Sequence, residues 1–142
     1  MTSPDRSTRA FLALAAIKGV GFETLRSMAA AGVDFTALFE AAGEEAILST
    51  LRRHGARIPT DITTPWATVR EHAALSADQT FEKLDRLGVI LVFRSDPKFP
   101  QQMSGLKEPP YWLFVQGNLD VLAAPSVGVV GTRTPTSDGI WL

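Results

Sequence analysis

The chain contains no cysteine. That absence removes disulfide staples, thiolate metal sites and cysteine nucleophiles together, and it agrees with a reducing compartment. Histidine is nearly as scarce: His54 and His72 stand apart, with no metal-ligand spacing joining them, and both read as solvated or structural. Long hydrophobic runs are missing too. The longest, Phe11 to Ile17, falls far short of the roughly 20 apolar residues that a membrane-spanning helix needs. Arg6 and Arg9 ahead of it give it the outline of a secretion signal. Lys18 interrupts the run, however, and Gly19-Val20-Gly21 continues as folded protein rather than as a cleavage site. Nor is there an excess of either charge. The net charge is −1, with seven basic and seven acidic side chains in residues 1–64 and seven and eight in residues 65–142. With no basic tail or stripe, composition by itself gives no support for nucleic-acid binding. A cytoplasmic protein without a membrane partner is expected.

What is present is ordinary globular material. The 142 residues suffice for one domain or two small ones, at 45% hydrophobic and 20% charged content. Residues 7–55 read as four short helices. Ser7 or Thr8 caps the first, whose apolar residues include Phe11, Leu12, Leu14 and Ala15, and Gly19 stops it. The second runs from about Phe22 with Leu25, Met28 and Ala29 on one face, and Gly32 lies just past its end. Asp34 caps a third over Phe35–Ala42, and Ile47, Leu48 and Leu51 mark a fourth ending near Gly55. A linker containing Pro59 follows. Thr64-Pro65 then opens a helical stretch in which Trp66, Val69, Ala73, Ala77, Phe81, Leu84 and Leu87 recur at three- or four-residue steps. The stretch is one long helix or two joined near Ser76–Asp78.

After Gly88 the period changes. Val89–Phe93 (VILVF) is a continuous apolar run of the kind found in a buried strand. Tyr111–Val115 (YWLFV) is a second strand candidate, and Val127–Val130 (VGVV) is a third that runs straight into Gly131-Thr132-Arg133. Periodicity makes Trp66, Trp112 and Phe114 core residues rather than base-stacking platforms. Asp96-Pro97 reads as a turn starter. Neither Ser126 nor Ser137 has a base near it in sequence.

Two turns carry possible chemistry. Ile17-Lys18-Gly19-Val20-Gly21 joins an apolar helix to the next one and resembles a helix-hairpin-helix element. Glycines there let two helices approach, and backbone N–H groups with the following helix N-terminus can hold a phosphate regardless of base. The plainer reading is a tight turn between packed helices. The second turn is Gly131-Thr132-Arg133-Thr134-Pro135-Thr136-Ser137-Asp138-Gly139, directly after an apolar strand. A glycine at a strand's carboxyl end admits an anion to the backbone, hydroxyls add donors, and arginine gives a forked, charge-assisted contact. The spacing is neither the dinucleotide pattern nor a P-loop.

Three blocks then resemble one family in order and spacing. They are Asp96-Pro97-Lys98-Phe99-Pro100-Gln101-Gln102-Met103, Glu108-Pro109-Pro110-Tyr111-Trp112-Leu113-Phe114-Val115-Gln116-Gly117, and Val129-Val130-Gly131-Thr132-Arg133 with Thr136 and Gly139. Together with the helices around Gly19-Val20-Gly21 they are similar to the N-terminal portion of the DNA-processing protein A (DprA/Smf) family. The resemblance implies an α/β chain. A small all-helical SAM/helix-hairpin-helix-like domain at 5–60 leads through a helical connection at 61–88 to the first strands of an incomplete Rossmann-like domain at 89–142.

It also implies a non-catalytic role: binding single-stranded DNA and loading the RecA recombinase onto it, as in natural transformation, with no cofactor or metal. Gly131, Thr132 and Arg133 would form part of a phosphate pocket, with Thr136 and Gly139 supporting it and Lys18, Gly19 and Gly21 as a second contact. Asp138 stands where the family often has an aromatic residue, and an acid there weakens an anion site. The chain is expected to be a truncated copy, with homodimerisation open only to a full-length chain and weak DNA binding on its own. The alternative is a nucleotide-binding or nucleotide-cleaving enzyme on a related Rossmann-like domain; a plain protein-interaction module is the third.

Overall fold

A computed structural model describes residues 4–59, 64–125 and 127. Within them the chain forms five α-helices, then two strands that pair with each other, with short 3-10 turns at Gln101–Gly105 and Leu119–Ala123. The fold is therefore mixed α/β and mostly helical.

Helix α1 spans Pro4–Ala16. It starts earlier than a Ser7 or Thr8 cap would place it. Proline suits a first helical position and Asp5 complements the N-terminal dipole, so the helix begins there and carries Thr8 inside as a buried residue. Helix α2 covers Phe22–Ala30 and α3 covers Phe35–Glu40. The Asp34 side chain caps α3 as expected, accepting from Thr36 N at 2.8 Å and Ala37 N at 3.0 Å. Helix α4 runs Glu44–Arg53, with acids in its first turn and Arg52 and Arg53 in its last, both favourable to the helix dipole. Its C-cap residue His54 meets the Ser27 hydroxyl at 2.9 Å through Nδ1, which is a structural role.

Helix α5 is one unbroken element, Trp66–Arg86, with Pro65 just outside it as the N-cap. No joint forms near Ser76–Asp78. Ala77 is 2% exposed and lets the helix lie close against its neighbours, while Asp78 reaches back to Arg9 in an exposed ion pair. Arg9 also lies over the Phe81 ring, 4.1 Å from its centroid, so α1 and α5 are joined by packing and by charge. Trp66, Ala73 and Ala77 of α5 share one apolar cluster with Leu14, Met28, Ile47 and Leu51 from α1, α2 and α4. Burying each of those four larger side chains stabilises the fold by about 1.5–3 kcal/mol. The Trp66 indole N–H meets no acceptor among the described residues. That costs about 1–3 kcal/mol, set against the burial of a large ring.

Strands β1 (Val89–Phe93) and β2 (Trp112–Gln116) run antiparallel, with Val89 opposite Gln116, Leu91 opposite Phe114 and Phe93 opposite Trp112. The expectation of a fully buried β1 is corrected. Val92 is buried, but Ile90, two residues earlier on the same face, is 49% exposed, so the face turned away from the helical cluster is covered at the Val92 end and open at Ile90. Phe114, read as core from its period, is 51% exposed. Trp112 does pack inward, and with Leu91 and Phe93 it lies against the helical cluster.

Five rings weld the strand pair to the helices. Phe11 of α1 stands 5.5 Å from Phe35, 5.6 Å from Phe93 and 4.9 Å from Trp112, measured between centroids. Phe22 meets Trp112 at 5.4 Å, and Phe35 meets Phe93 at 6.2 Å. Three of these pairs are edge-to-face, the geometry that aligns ring edges with electron-rich faces. The third strand expected at Val127–Val130 lies outside the described residues apart from the exposed Val127.

Candidate nucleic-acid interface

The residues singled out in the sequence divide into two groups. Gly131, Thr132, Arg133, Thr136 and Gly139 lie outside the described residues. Lys18, Gly19 and Gly21 are described, and they form the exposed turn between α1 and α2.

The two glycines of that turn do different work. Gly19 adopts φ +92°, a conformation that L side chains rarely take. Its carbonyl accepts from Arg57 N at 2.8 Å, and a Cβ placed on it would come within 2.3 Å of the Arg57 carbonyl oxygen. The turn is thus clamped against the segment after α4, whose Ala56 and Ile58 are buried in the core. Packing alone accounts for glycine at position 19. Gly21 is extended at φ −116° as the N-cap of α2, and a Cβ there would meet nothing within 4 Å. No packing reason requires glycine at 21. Lys18 is exposed beside it. The turn thus combines a structural glycine, an open helix start and one cation.

A second feature was not singled out in the sequence. Between the α2–α3 connection and the end of β1 lies a cleft of about 550 Å³. Val33, Phe35 and Phe93 give it an apolar lining, and Ser7, Arg94, Ser95 and Tyr111 bring polar groups to it. The position of Arg94 follows from the strand register. Its N–H donates to the Tyr111 carbonyl at 2.8 Å, continuing the ladder one step past Phe93 and Trp112. The guanidinium then lies over the Tyr111 ring, 5.7 Å from the centroid. It makes no ion pair among the described residues. Asp34 is the one carboxylate lining the cleft among the described residues, and its Oδ1 is already engaged by two α3 amides. The sequence signal was modest: an arginine and a serine immediately after an apolar strand, opposite a Pro-Pro-Tyr step whose partner only the register reveals. Among the described residues no group of three or more histidines and carboxylates is placed to hold a metal ion. No described helix is long and apolar enough to cross a membrane.

A comparison with known families bears on the C-terminal part of the chain. Residues 90–142 match the family model for DNA recombination-mediator protein A. The match begins inside β1, includes Arg94 and Tyr111, and takes in residues 131–139. It covers a little over a third of the chain, and the helices α1–α5 lie outside it. No curated protein and no solved structure matches the sequence.

Proposed function

We propose that this chain serves DNA recombination as a single-stranded DNA-binding mediator that loads the RecA recombinase and performs no catalytic step of its own, in the cytoplasm. The observation that carries the reading is the match of residues 90–142 to the recombination-mediator family, because that stretch contains the Gly-Thr-Arg turn. In this reading Arg133 forks onto a phosphate, Gly131 admits the backbone to it, Thr132 and Thr136 add hydroxyl donors, and Gly139 supports the following turn. Lys18 and the amides near Gly19 and Gly21 add a second, sequence-independent phosphate contact. The helices at 5–60 form a SAM/helix-hairpin-helix-like domain, 61–88 connects, and 89–142 opens a Rossmann-like domain.

The test is a salt titration of a fluorescent single-stranded oligonucleotide with the chain and with Arg133→Ala. Few cations are at hand in this segment, so binding is expected to be weak at physiological salt and to strengthen at low salt. Arg133→Ala is expected to weaken it further and to reduce the log–log salt slope by about one. Identical titrations for the two proteins would remove the phosphate pocket from residues 131–139.

A further inference from the structure

The cleft beside Arg94 combines features that are separately ordinary. Its volume of about 550 Å³ falls within the range of small-molecule sites, which are mostly apolar with a few placed polar groups. Here the apolar part includes two aromatic rings, Phe35 and Phe93, and Tyr111 adds a third. The charged part is a guanidinium held at one edge by the strand register and stacked toward the Tyr111 ring. Arg94 has no carboxylate partner among the described residues, and the nearby Asp34 spends an oxygen on the α3 amides. A site with aromatic faces, hydroxyls and one unpaired guanidinium suits a ligand with a flat ring and an anionic group. Stacking would hold the ring, and a forked contact would hold the anion. A simple anion would leave the apolar walls of the cleft unfilled, and an uncharged aromatic would leave Arg94 unused.

We infer that this cleft is a nucleotide subsite, in which the base lies among Phe35, Phe93 and Tyr111 while Arg94 takes the phosphate and Ser95 lies beside it. The subsite deepens the single-stranded DNA reading, because it adds a nucleotide-holding position at the junction of helices and strands, built from residues other than 131–139. It depends on that reading only for the source of the nucleotide. Its chemistry is tested with a mononucleotide alone.

The experiment is a titration of the ¹⁵N-labelled chain with dTMP, followed by two-dimensional NMR, with thymidine and inorganic phosphate as separate arms. Saturable shifts are expected for Val33–Thr36, the backbone of Phe93–Ser95 and the Arg94 Nε–H. Thymidine and phosphate alone should bind more weakly than dTMP. Arg94→Ala is expected to weaken dTMP binding about tenfold, the factor for losing one solvent-exposed charge-assisted contact, while thymidine binding stays unchanged. The Arg94 side chain is exposed, so the variant should melt with the parent protein. Shifts that map elsewhere, or an unchanged dTMP affinity in Arg94→Ala, overturn the subsite. A chain that takes dTMP at this cleft yet binds no oligonucleotide would keep the subsite and sink the single-stranded DNA reading. A chain that binds oligonucleotide with no shifts here would do the reverse.

Discussion

Replacing Gly19 with alanine tests the clamp between the first turn and the segment after α4. Three costs arise from the structure. The backbone sits at φ +92°, where an L residue is penalised by about 1–2 kcal/mol. The new methyl would stand 2.3 Å from the Arg57 carbonyl oxygen and 2.6 Å from its carbon, so the two backbone segments must separate. Separation loses the Arg57 N–H to Gly19 carbonyl bond, about 1 kcal/mol, and loosens the seating of Ile58, which is 8% exposed. The sum is about 3 kcal/mol. At about 4 °C per kcal/mol for a chain of this size, the melting temperature should fall by about 12 °C. Thermal unfolding followed by far-ultraviolet circular dichroism measures it directly. Gly21→Ala is the matched control: the same methyl meets nothing within 4 Å at an allowed φ of −116°, so its melting temperature should move little. If Gly19→Ala melts within about 3 °C of the parent, the clamp is not what holds this turn, and steric strain at position 19 has been misjudged. If Gly21→Ala leaves stability alone but lowers oligonucleotide affinity, the open helix start is the part that meets phosphate.

Two further outcomes follow from the packing and the charges. Phe11→Ala removes the ring shared by Phe35, Phe93 and Trp112 and should cost about 3–5 kcal/mol. Because Trp112 is in that cluster, its fluorescence should redden in the folded state of the variant, and an unchanged emission spectrum would contradict the packing. The third concerns Glu40, whose carboxyl is held below its ordinary value near 4.5 chiefly by the hydrogen bonds it accepts from Arg6, at 2.8 and 3.0 Å through Nε. A carboxyl depressed in the folded state stabilises the fold above its unfolded pKa and loses that contribution as pH falls through the folded one. The stability gap between the parent and Glu40→Gln should therefore be full at neutral pH and shrink below about 4.5, and the pair's exposure makes the gap small and salt-sensitive. A gap that is the same at pH 3 and pH 7 would show that Arg6 does not distinguish the charged form.

Most of the helical half was legible because each signal there is local. Asp34 before Phe35 is a side-chain cap, and the structure shows the two bonds it predicts. The steps from Trp66 to Leu84 are helical in period, and the element is helical throughout. Local chemistry did not reveal whether Ser76–Asp78 would break it, because that depended on how closely Ala77 could approach a neighbour. The strands failed in a different way. In VILVF and YWLFV nearly every residue is apolar, so no alternation marked which face was inward. Ile90 and Phe114 were exposed by a register and a docking direction that only the tertiary structure sets. The Arg94 cleft was illegible for the same reason: its lining comes from Ser7, Ala29, Gly32–Thr36, Phe93–Ser95 and Tyr111, stretches far apart in the chain.

The aromatic cluster bears on how the two candidate phosphate contacts could work together. Phe22 is the first residue of α2, directly after Gly21, and its ring rests on Trp112. Trp112 is the neighbour of Tyr111 and the register partner of Phe93, and Phe93 and Tyr111 both line the Arg94 cleft. The glycine turn and the cleft are thus connected through packed rings rather than through a flexible loop. Phe22 is 63% exposed, so the link begins as a surface ring contact and continues into the packed rings of Trp112, Phe11 and Phe93. A strand of DNA touching both would find two positions at a fixed separation, which lowers the ordering cost of the second contact. Trp112 is therefore the residue to alter: Trp112→Leu keeps an apolar side chain but removes the ring that joins Phe22 to Phe11. It should lower oligonucleotide affinity while leaving the dTMP affinity of the cleft nearly as it was. Equal losses for oligonucleotide and mononucleotide would mean that the ring shapes the cleft itself and does not set a spacing.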